Sequence, residues 1–427
     1  MRYQVVRGMR DLLPEQAKKK QLIEDRIRKE FEAYGFEPLE TPIVEDFALL
    51  AAKGSAGEAV KDEIYYFKDK ADRELGLRFD LTVPLARIIS CNPQLAKPFK
   101  RYQLGKVYRY DKPGASRYRE FTQADADIVG SSSILADYEC VALAYKVMKD
   151  LSLKFNIRVA NKKLLEEICL ASGVKKEQLI ECMRSIDKLD KIGVSGVAEE
   201  LNGKGISDKV LDVIKTNDLK KIEKIVKDKK GLEELKELLE YCEKAGLSEF
   251  VKFDASLARG LEYYTGNVFE IISENEKGEK GPSVGGGGRY DKLVETYGGQ
   301  STPCVGISFG IDRLLDLREK EICPQKTQVM VVPLGIEAGK ESLKLGRELR
   351  NAGMNVENDL MQRSIQKNLE YANKKGIPFV IIIGENELKA KKVMIKNLST
   401  GKQELIEMNV EKIKNIVEGR EKNKSKK

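Results

Sequence analysis

The chain has 427 residues, of which 41% are hydrophobic and 34% are charged, and this predicts two or three globular domains. It contains no histidine, which excludes serine–histidine triads, imidazole bases and histidine metal sites. Its seven cysteines form no CxxC pair, so we expect neither a disulfide framework nor a cysteine zinc site.

No apolar run approaches the length of a membrane span; FVIII at 379–383, for example, has only five residues. The first residues, MRYQVVRGMRD, lack the apolar centre of a secretion signal. We therefore expect a cytoplasmic protein that does not bind membranes.

Periodic patterns predict the elements of the first part of the chain. Residues 14–34 are predicted to form a helix, because Pro14 suits a first turn and Ile23, Ile27 and Phe31 recur at four-residue spacing. Residues 35–46, GFEPLETPIVED, contain two prolines and predict an extended edge segment. Residues 64–129 are mostly strand-like with short loops, which indicates an antiparallel sheet, and residues 134–150 predict a helix.

The pattern then changes twice. Residues 161–250 are rich in Lys, Glu and Leu and predict short helices inserted into the sheet, which resumes at 251–272 and 304–310. After Pro324 the order strand–helix–strand–helix–strand predicts a small α/β domain with parallel strands. The predicted organisation is therefore α+β, with a core at 1–160 and 251–323, a helical insertion at 161–250 and an α/β domain at 324–427.

Positive charge is concentrated in the last of these domains. Residues 326–427 hold 21 Lys and Arg against 13 Asp and Glu, whereas the whole chain holds 76 against 68. The whole surplus of +8 thus lies in the last quarter of the chain. Two interpretations fit this surplus equally well: a polyanion partner such as nucleic acid, and a lysine-rich solvated surface.

One predicted strand, YREFTQADADIV, carries an unusual set of polar groups. By the two-residue period its first face shows Arg119, Phe121, Gln123, Asp125 and Asp127. A solvent-facing side of a sheet is the ordinary interpretation. The opposite face, however, is small and only weakly apolar and would make a poor core, so we favour a cleft.

Three further stretches are candidates for ligand contact. LRFDLTVP, treated as a strand, places Arg78, Asp80 and Thr82 on one face. SVGGGGRYD at 283–291 fits no phosphate-binding loop, and we expect a floppy loop or a backbone that closely approaches a ligand. Arg313 lies in the first turn of a predicted helix, where its positive charge is unfavourable beside the positive end of the helix dipole. A ligand phosphate or a structural ion pair would compensate for it.

Arg109, Arg117 and Arg119 surround the Pro-Gly loop of YRYDKPGASRYR, and arginines at such a turn can grip phosphate. Basic hairpin loops are nevertheless common, so this feature alone does not establish a phosphate site.

Together these stretches resemble the class II aminoacyl-tRNA synthetases over nearly the whole chain. GFEPLETPIVE, with Pro42, resembles motif 1, which forms the dimer interface in that class. KVYRYDKPGASRYREFTQADADIVG resembles motif 2, and GISFGIDRLL resembles motif 3. RGLEYYTG and SVGGGGRYD resemble the two segments that distinguish the histidyl-tRNA synthetase family from its prolyl, threonyl and glycyl relatives. The form FTQADADIVG suggests the archaeal or eukaryotic branch of that family.

The resemblance implies a function and a set of residues. The reaction would join L-histidine to its tRNA through histidyl-adenylate, with Arg259 and Arg109 as catalytic residues. ATP would be a substrate bound by Arg109, Phe121 and Arg313, with Mg²⁺ and without zinc. Histidine would be bound by polar side chains: Asp80, Thr82, Arg109, Gln123, Asp127, Arg259, Tyr263 and Tyr264.

The resemblance also implies a homodimer and a C-terminal domain that binds the tRNA anticodon. A non-catalytic relative, the regulatory subunit of ATP phosphoribosyltransferase, is one alternative, although it generally lacks the anticodon-binding domain. Another class II synthetase is the second alternative, and the two histidyl segments argue against it.

Overall fold

The computed structural model describes residues 3–52, 63–114, 116–260, 263–275, 277–318 and 326–419. The chain divides into two compact units between residues 321 and 322, close to the boundary predicted between 323 and 324. Within the described residues, no helix is both long and apolar enough to cross a membrane.

The first unit combines strands and helices. Its strands are β1 (Glu37–Pro38), β2 (Val44–Asp46), β3 (Tyr66–Lys68), β4 (Glu74–Leu77), β5 (Phe99–Tyr108), β6 (Glu120–Val129), β7 (Phe155–Asn161), β8 (Val251–Phe253), β9 (Asn267–Glu274), β10 (Lys280–Arg289) and β11 (Cys304–Gly310). Its helices are α1 (Pro14–Ala33), α2 (Phe47–Ala51), α3 (Thr82–Cys91), α4 (Ile134–Asp150), α5 (Lys162–Ala171), α6 (Leu179–Ile186), α7 (Leu189–Gly203), α8 (Val210–Thr216), α9 (Leu219–Ile225), α10 (Lys230–Lys244), α11 (Leu293–Thr296) and α12 (Ile311–Leu317).

An eight-stranded sheet in the order β1-β5-β6-β11-β10-β9-β7-β8 organises this unit. Its pairings are antiparallel except at the two edges, where β1–β5 and β7–β8 run parallel. A smaller antiparallel sheet has the order β2-β4-β3. The mixed α+β architecture with an antiparallel central sheet, predicted from the sequence, is confirmed.

Helices α5 to α10 occupy the chain between β7 and β8. Because Ile157 of β7 pairs with Val251 of β8, the chain leaves the sheet and returns to it at the same edge. This helical block corresponds to the segment predicted at 161–250. Strand β7, which precedes it, was not predicted.

The small face of β6 packs in the hydrophobic core, contrary to the expectation that it would make a poor one. Ala124 and Ala126 are fully buried, and Ile128 lies with them in the cluster that contains Ile27 and Phe31 of α1. Small side chains suffice on the strand because the helices supply the apolar volume. The polar face of β6 is therefore free to form a site.

The stretch LRFDLTVP is not a continuous strand, so the prediction that Arg78, Asp80 and Thr82 share a strand face is wrong. Strand β4 ends at Leu77, and Thr82 begins α3. The Asp80 carboxylate accepts hydrogen bonds from the backbone N–H groups of Thr82 and Val83, at 3.2 and 2.9 Å. Such capping satisfies N–H groups that a first helical turn leaves open, and it overrides the two-residue pattern.

The four-glycine stretch lies inside β10 and is not a floppy loop. A Cβ on Gly287 would lie 2.1 Å from the Gly306 carbonyl oxygen, and one on Gly285 would lie 2.7 Å from that of Ser308. Glycine is therefore needed for strands β10 and β11 to pack as they do.

The second unit is a separate α/β body. Its elements are β12 (Val329–Pro333), α13 (Ile336–Asn351), β13 (Val356–Asn358), α14 (Ile365–Lys375), β14 (Phe379–Ile383), α15 (Glu385–Lys389), β15 (Lys392–Asn397), β16 (Gln403–Glu407) and α16 (Val410–Val417). Strands β13, β12 and β14 are parallel, as the sequence predicts, and β15 and β16 extend the sheet in antiparallel fashion.

Candidate active site

Two adjacent tyrosines follow the turn at residues 259–260. Their ring centroids lie 4.3 Å apart, and the Tyr263 hydroxyl donates to the Tyr264 hydroxyl at 3.1 Å. Burial raises the pKa of Tyr264 to about 12, and burial together with Tyr264, Asp80 and Asp125 raises the pKa of Tyr263. Both phenols therefore remain protonated at neutral pH and can donate hydrogen bonds.

Asp127 lies near the C-terminal end of β6, and both oxygens of its carboxylate are contacted. The Tyr290 hydroxyl donates to its Oδ1. Its Oδ2 lies 2.7 Å from Nη2 of Arg101, a side chain with no exposed surface. Burial raises the pKa of Asp127, while Arg101 and the Tyr290 hydrogen bond oppose that shift. Asp127 is therefore a buried hydrogen-bond acceptor whose position is fixed by its neighbours.

Polar neighbours surround this carboxylate. Gln123 donates from Nε2 to Ser308 Oγ at 2.8 Å. Within the described chain, Gln123 Oε1 and Asp125 Oδ1 are buried without a hydrogen-bond partner. The pKa of Asp125 is raised to about 7, chiefly by burial, with Asp127 and Asp80 adding to the increase and Arg101 opposing it. Unpartnered buried acceptors of this kind are typical of a pocket prepared for a hydrogen-bonding ligand.

Arg259 extends from the turn before the tyrosines and is pinned at one end. Its Nη1 lies 2.8 Å from Glu270 Oε1 and donates to Ser283 Oγ at 3.0 Å. Glu270 is buried, whereas the Arg259 side chain keeps 42% of its surface exposed. The guanidinium is thus fixed by its inner nitrogen, and an outer edge is left for an anionic ligand.

Arg313 lies near three other arginines. Burial, followed by the charges of Arg259, Arg109 and Arg117, lowers the pKa of Arg313. Arg313 also donates from Nη1 to the Ser283 carbonyl at 2.7 Å. Arginine remains protonated in proteins, so these positive charges repel one another. A bound polyanion would neutralise them, which is why the cluster favours such a ligand.

Arg109 connects this cluster to a flat ring. Its Nε donates to the Phe79 carbonyl at 3.0 Å, and its guanidinium carbon lies 5.2 Å from the centroid of Phe121. Phe121 is half-buried. The base of a nucleotide could stack on such a ring while the phosphates of the same nucleotide contact the arginine.

A cavity of about 1100 Å³ opens beside these groups. Arg109, Tyr263 and Tyr264 form part of its wall. The segment from the start of α5 to the residue that follows α7 supplies charged side chains around the rest: Lys162, Lys163, Glu166, Glu181, Arg184, Asp187, Lys188, Lys191 and Lys204. The helical block therefore forms part of the cavity wall, together with Arg109, Tyr263 and Tyr264.

The structure brings most of the predicted residues together. Asp80 acts electrostatically on Tyr263 and Asp127 on Tyr264, while Gln123 shares β6 with Asp127, and these five residues make up the polar pocket. Arg109, Arg259 and Arg313 form the adjoining cationic region, with Phe121 beside Arg109. Thr82 is half-buried at the start of α3, next to the cap that Asp80 provides.

Three residues of the site were not predicted. Tyr290 and Glu270 lie within or next to the two segments singled out in the sequence, so an acidic or phenolic partner could have been sought there. Arg101 gave no signal, because strand periodicity indicates a face and not the residue that opposes it on the neighbouring strand. Its position opposite Asp127 appears only in the β5–β6 register.

An antiparallel sheet that carries an arginine-lined pocket, with a separate α/β unit after it, is the arrangement expected of a class II aminoacyl-tRNA synthetase. The family model of histidyl-tRNA synthetase matches residues 8–314, and the model of an anticodon-binding domain matches residues 328–420. The chain belongs to the histidyl-tRNA synthetase family.

Named relatives agree with this assignment. Histidine–tRNA ligase 1 of Bacillus cereus is 37% identical over 412 residues, which is 93% of this chain and 96% of that protein. Histidine–tRNA ligase of the archaeon Methanococcus maripaludis is likewise 37% identical, over 421 residues, which is 95% of this chain and 98% of that protein. The crystal structure of histidyl-tRNA synthetase from Nostoc sp. PCC 7120 superposes with a TM-score of 0.85 at 31% identity, covering 98% of this chain and 100% of that one.

Proposed function

We propose that this protein ligates L-histidine to its tRNA at the expense of ATP. The observation that carries the proposal is the adjacency of two regions: a buried pocket of phenols and carboxylates, and a cluster of four arginines. The first suits a small cationic or polar amino acid, and the second suits a polyphosphate.

In the polar pocket, Asp127 would accept a hydrogen bond from one imidazole nitrogen. Tyr263, Tyr264 and Gln123 would bind the remaining polar groups, and Asp80 and Thr82 would hold the α-amino group. An amino acid without a matching side chain would leave these buried groups unpaired. Such mismatches reduce kcat/KM by roughly 10⁴-fold or more in sites of this kind.

In the first step, a histidine carboxylate oxygen attacks the α-phosphorus of ATP, the bond to the β-phosphate oxygen breaks, and pyrophosphate leaves. Arg259, held at one end by Glu270, would orient the carboxylate and stabilise charge on the α-phosphate oxygens. Arg109 would contact the same phosphate, Phe121 would stack on adenine, and Arg313 would bind the γ-phosphate.

In the second step, a ribose hydroxyl at the 3′ end of the tRNA attacks the acyl carbon of histidyl-adenylate, and AMP leaves. The basic second unit would contact the anticodon stem-loop, which accounts for the location of the surplus charge. A non-catalytic regulatory paralogue is less well supported, because the anticodon-binding model matches this chain and Arg109, Arg259 and Arg313 are all present.

Three further expectations belong to this proposal. Mg²⁺ would accompany ATP as part of the substrate; among the described residues no group of three or more Cys, Asp or Glu could hold a metal ion. A homodimer would form through the region around Pro42, where Ile43, Val44, Tyr66 and Phe67 expose apolar surface. The protein would act in the cytoplasm.

The test is ATP–pyrophosphate exchange with each of the twenty amino acids offered separately. We expect exchange with histidine alone, and we expect Arg259→Ala to abolish it. Arg28→Ala is the matched control, because Arg28 lies on the surface of α1 in an exposed ion pair with Asp25. Exchange with a different amino acid, or undiminished exchange in Arg259→Ala, would contradict the proposal.

A further inference from the structure

Arg101, on β5, is the largest fully buried side chain in the described part of the chain. It lies directly opposite Asp127 in the β5–β6 register, and its Nη2 contacts Asp127 Oδ2 at 2.7 Å. The same nitrogen donates to the Leu81 carbonyl at 3.1 Å. Among the described residues, Arg101 Nε and Nη1 have no hydrogen-bond partner.

A buried guanidinium with unpartnered donors is costly, so a purely structural role is a poor account of it. A buried ion pair contributes little net stability compared with apolar residues of similar volume. We therefore look for the role of Arg101 in its effect on Asp127.

The contacts of Arg101 reach both sides of the polar pocket. One is the carboxylate on β6, and the other is the carbonyl at Leu81, between Asp80 and the start of α3. With Tyr290 on Oδ1 and Arg101 on Oδ2, the Asp127 carboxylate has a fixed orientation and still retains lone pairs for a ligand. A Cβ on Gly306 would lie 1.9 Å from Oδ1, so the strand behind it also restricts that carboxylate.

Arg101 supplies positive charge to a crowded acidic region. The charged and titratable groups that face Asp127 are Asp80, Arg101, Asp125, Cys140, Tyr264, Tyr290 and Cys304. Arg101 is the cation among these groups. Its charge opposes the increase that burial causes in the pKa of both Asp125 and Asp127.

We propose that Arg101 is a positioning residue for histidine recognition, which holds the Asp127 carboxylate aimed at the imidazole of the substrate. The assignment rests on the proposed function and deepens it, since it names the group on which selection of the side chain depends. Arg101 itself need not touch the substrate.

The experiment compares wild type, Arg101→Lys and Arg101→Met by histidine-dependent ATP–pyrophosphate exchange between pH 6 and 9, together with thermal melting. Lys106→Met is the matched control, because Lys106 lies on the same strand but is exposed and pairs with Glu120. We expect Arg101→Met to raise KM for histidine by roughly 10- to 150-fold, because the ion pair with Asp127 and the charged hydrogen bond to the Leu81 carbonyl are both lost, while KM for ATP stays unchanged.

The pH profile distinguishes a positioning role from a structural one. Without the Arg101 charge the pKa of Asp127 rises further, so the acidic limb of kcat/KM for histidine should move to higher pH. Arg101→Lys keeps the charge and should restore most of that limb. The ionisation of free histidine is the same for every variant and cannot produce the difference.

If Arg101→Met does not fold, Arg101→Lys decides alone: a raised KM for histidine with an unmoved KM for ATP supports the assignment. Wild-type values of KM and of the acidic limb in folded variants overturn it, as do equal increases in both KM values. Absence of histidine-dependent exchange in the wild type overturns the proposed function as well.

Discussion

Gly306 on β11 should be intolerant of any side chain, because it lies against the group that recognises the substrate. A Cβ at this position would lie 1.9 Å from Asp127 Oδ1 and 2.7 Å from Asp127 Cγ, whereas real Cβ contacts are essentially never below 3.0 Å. In Gly306→Ala the carboxylate must withdraw by more than about 1 Å, which disrupts its contacts with Arg101 and Tyr290.

Two effects follow from this displacement. Loss of one hydrogen bond to a charged group costs about 1.5–3 kcal/mol, so kcat/KM for histidine should fall roughly 10- to 150-fold. Disturbing a buried ion pair costs about 3–5 kcal/mol of stability when one partner is left uncompensated, so the melting temperature should also fall. KM for ATP should change little.

Pyrophosphate exchange over a range of histidine concentrations measures the first effect, and thermal denaturation measures the second. Gly203→Ala is the control, because Gly203 ends helix α7 and a Cβ there would have no neighbour within 4 Å. A folded Gly306→Ala protein with wild-type KM for histidine would refute the idea that the position of Asp127 selects the substrate.

Three further predictions concern other parts of the site. Glu270→Gln should lower kcat about 10-fold or more with little change in KM for ATP, because Arg259 loses its charged anchor at 2.8 Å; an unchanged kcat in single-turnover assays would contradict this. Burial raises the pKa of Asp125 from 3.8 to about 7, so wild-type stability should fall as pH rises between these values, and Asp125→Asn should lose that dependence. Melting curves at pH 5 and pH 8 test this prediction. The melting temperature of Asp125→Asn minus that of wild type should be larger at pH 8 than at pH 5, and an equal or smaller difference would contradict it. Increasing salt from about 50 to 200 mM should raise KM for tRNA in aminoacylation far more than KM for histidine in exchange, because phosphate contacts release counterions; parallel changes would argue against a basic tRNA-binding surface.

Elements with a strong local pattern could be predicted from the sequence. Ile23, Ile27 and Phe31 define one face of α1, and the structure buries all three. Helix α3 was missed, because alternation in LRFDLTVP resembles a strand while the decisive interaction is a side-chain cap from Asp80. The hairpin of β15 and β16 and the strand β7 were also missed.

The site shows a similar division. Its residues at short sequence distance, such as Tyr263 with Tyr264 or Gln123 with Asp127, could be grouped from the sequence. The pairing of Arg101 with Asp127 and that of Tyr290 with the same carboxylate could not, because each depends on the folded sheet and spans a long stretch of chain. Arg259 could be singled out, whereas its dependence on Glu270 is a property of the β9–β10 region in three dimensions.

The most direct test of the account is aminoacylation of total tRNA by the full-length protein with each radiolabelled amino acid in turn, with and without ATP. We predict ATP-dependent attachment of histidine and of no other amino acid. Attachment of a different amino acid would contradict the assignment of the pocket around Asp127, and failure to attach any amino acid to tRNA would contradict the proposed function itself.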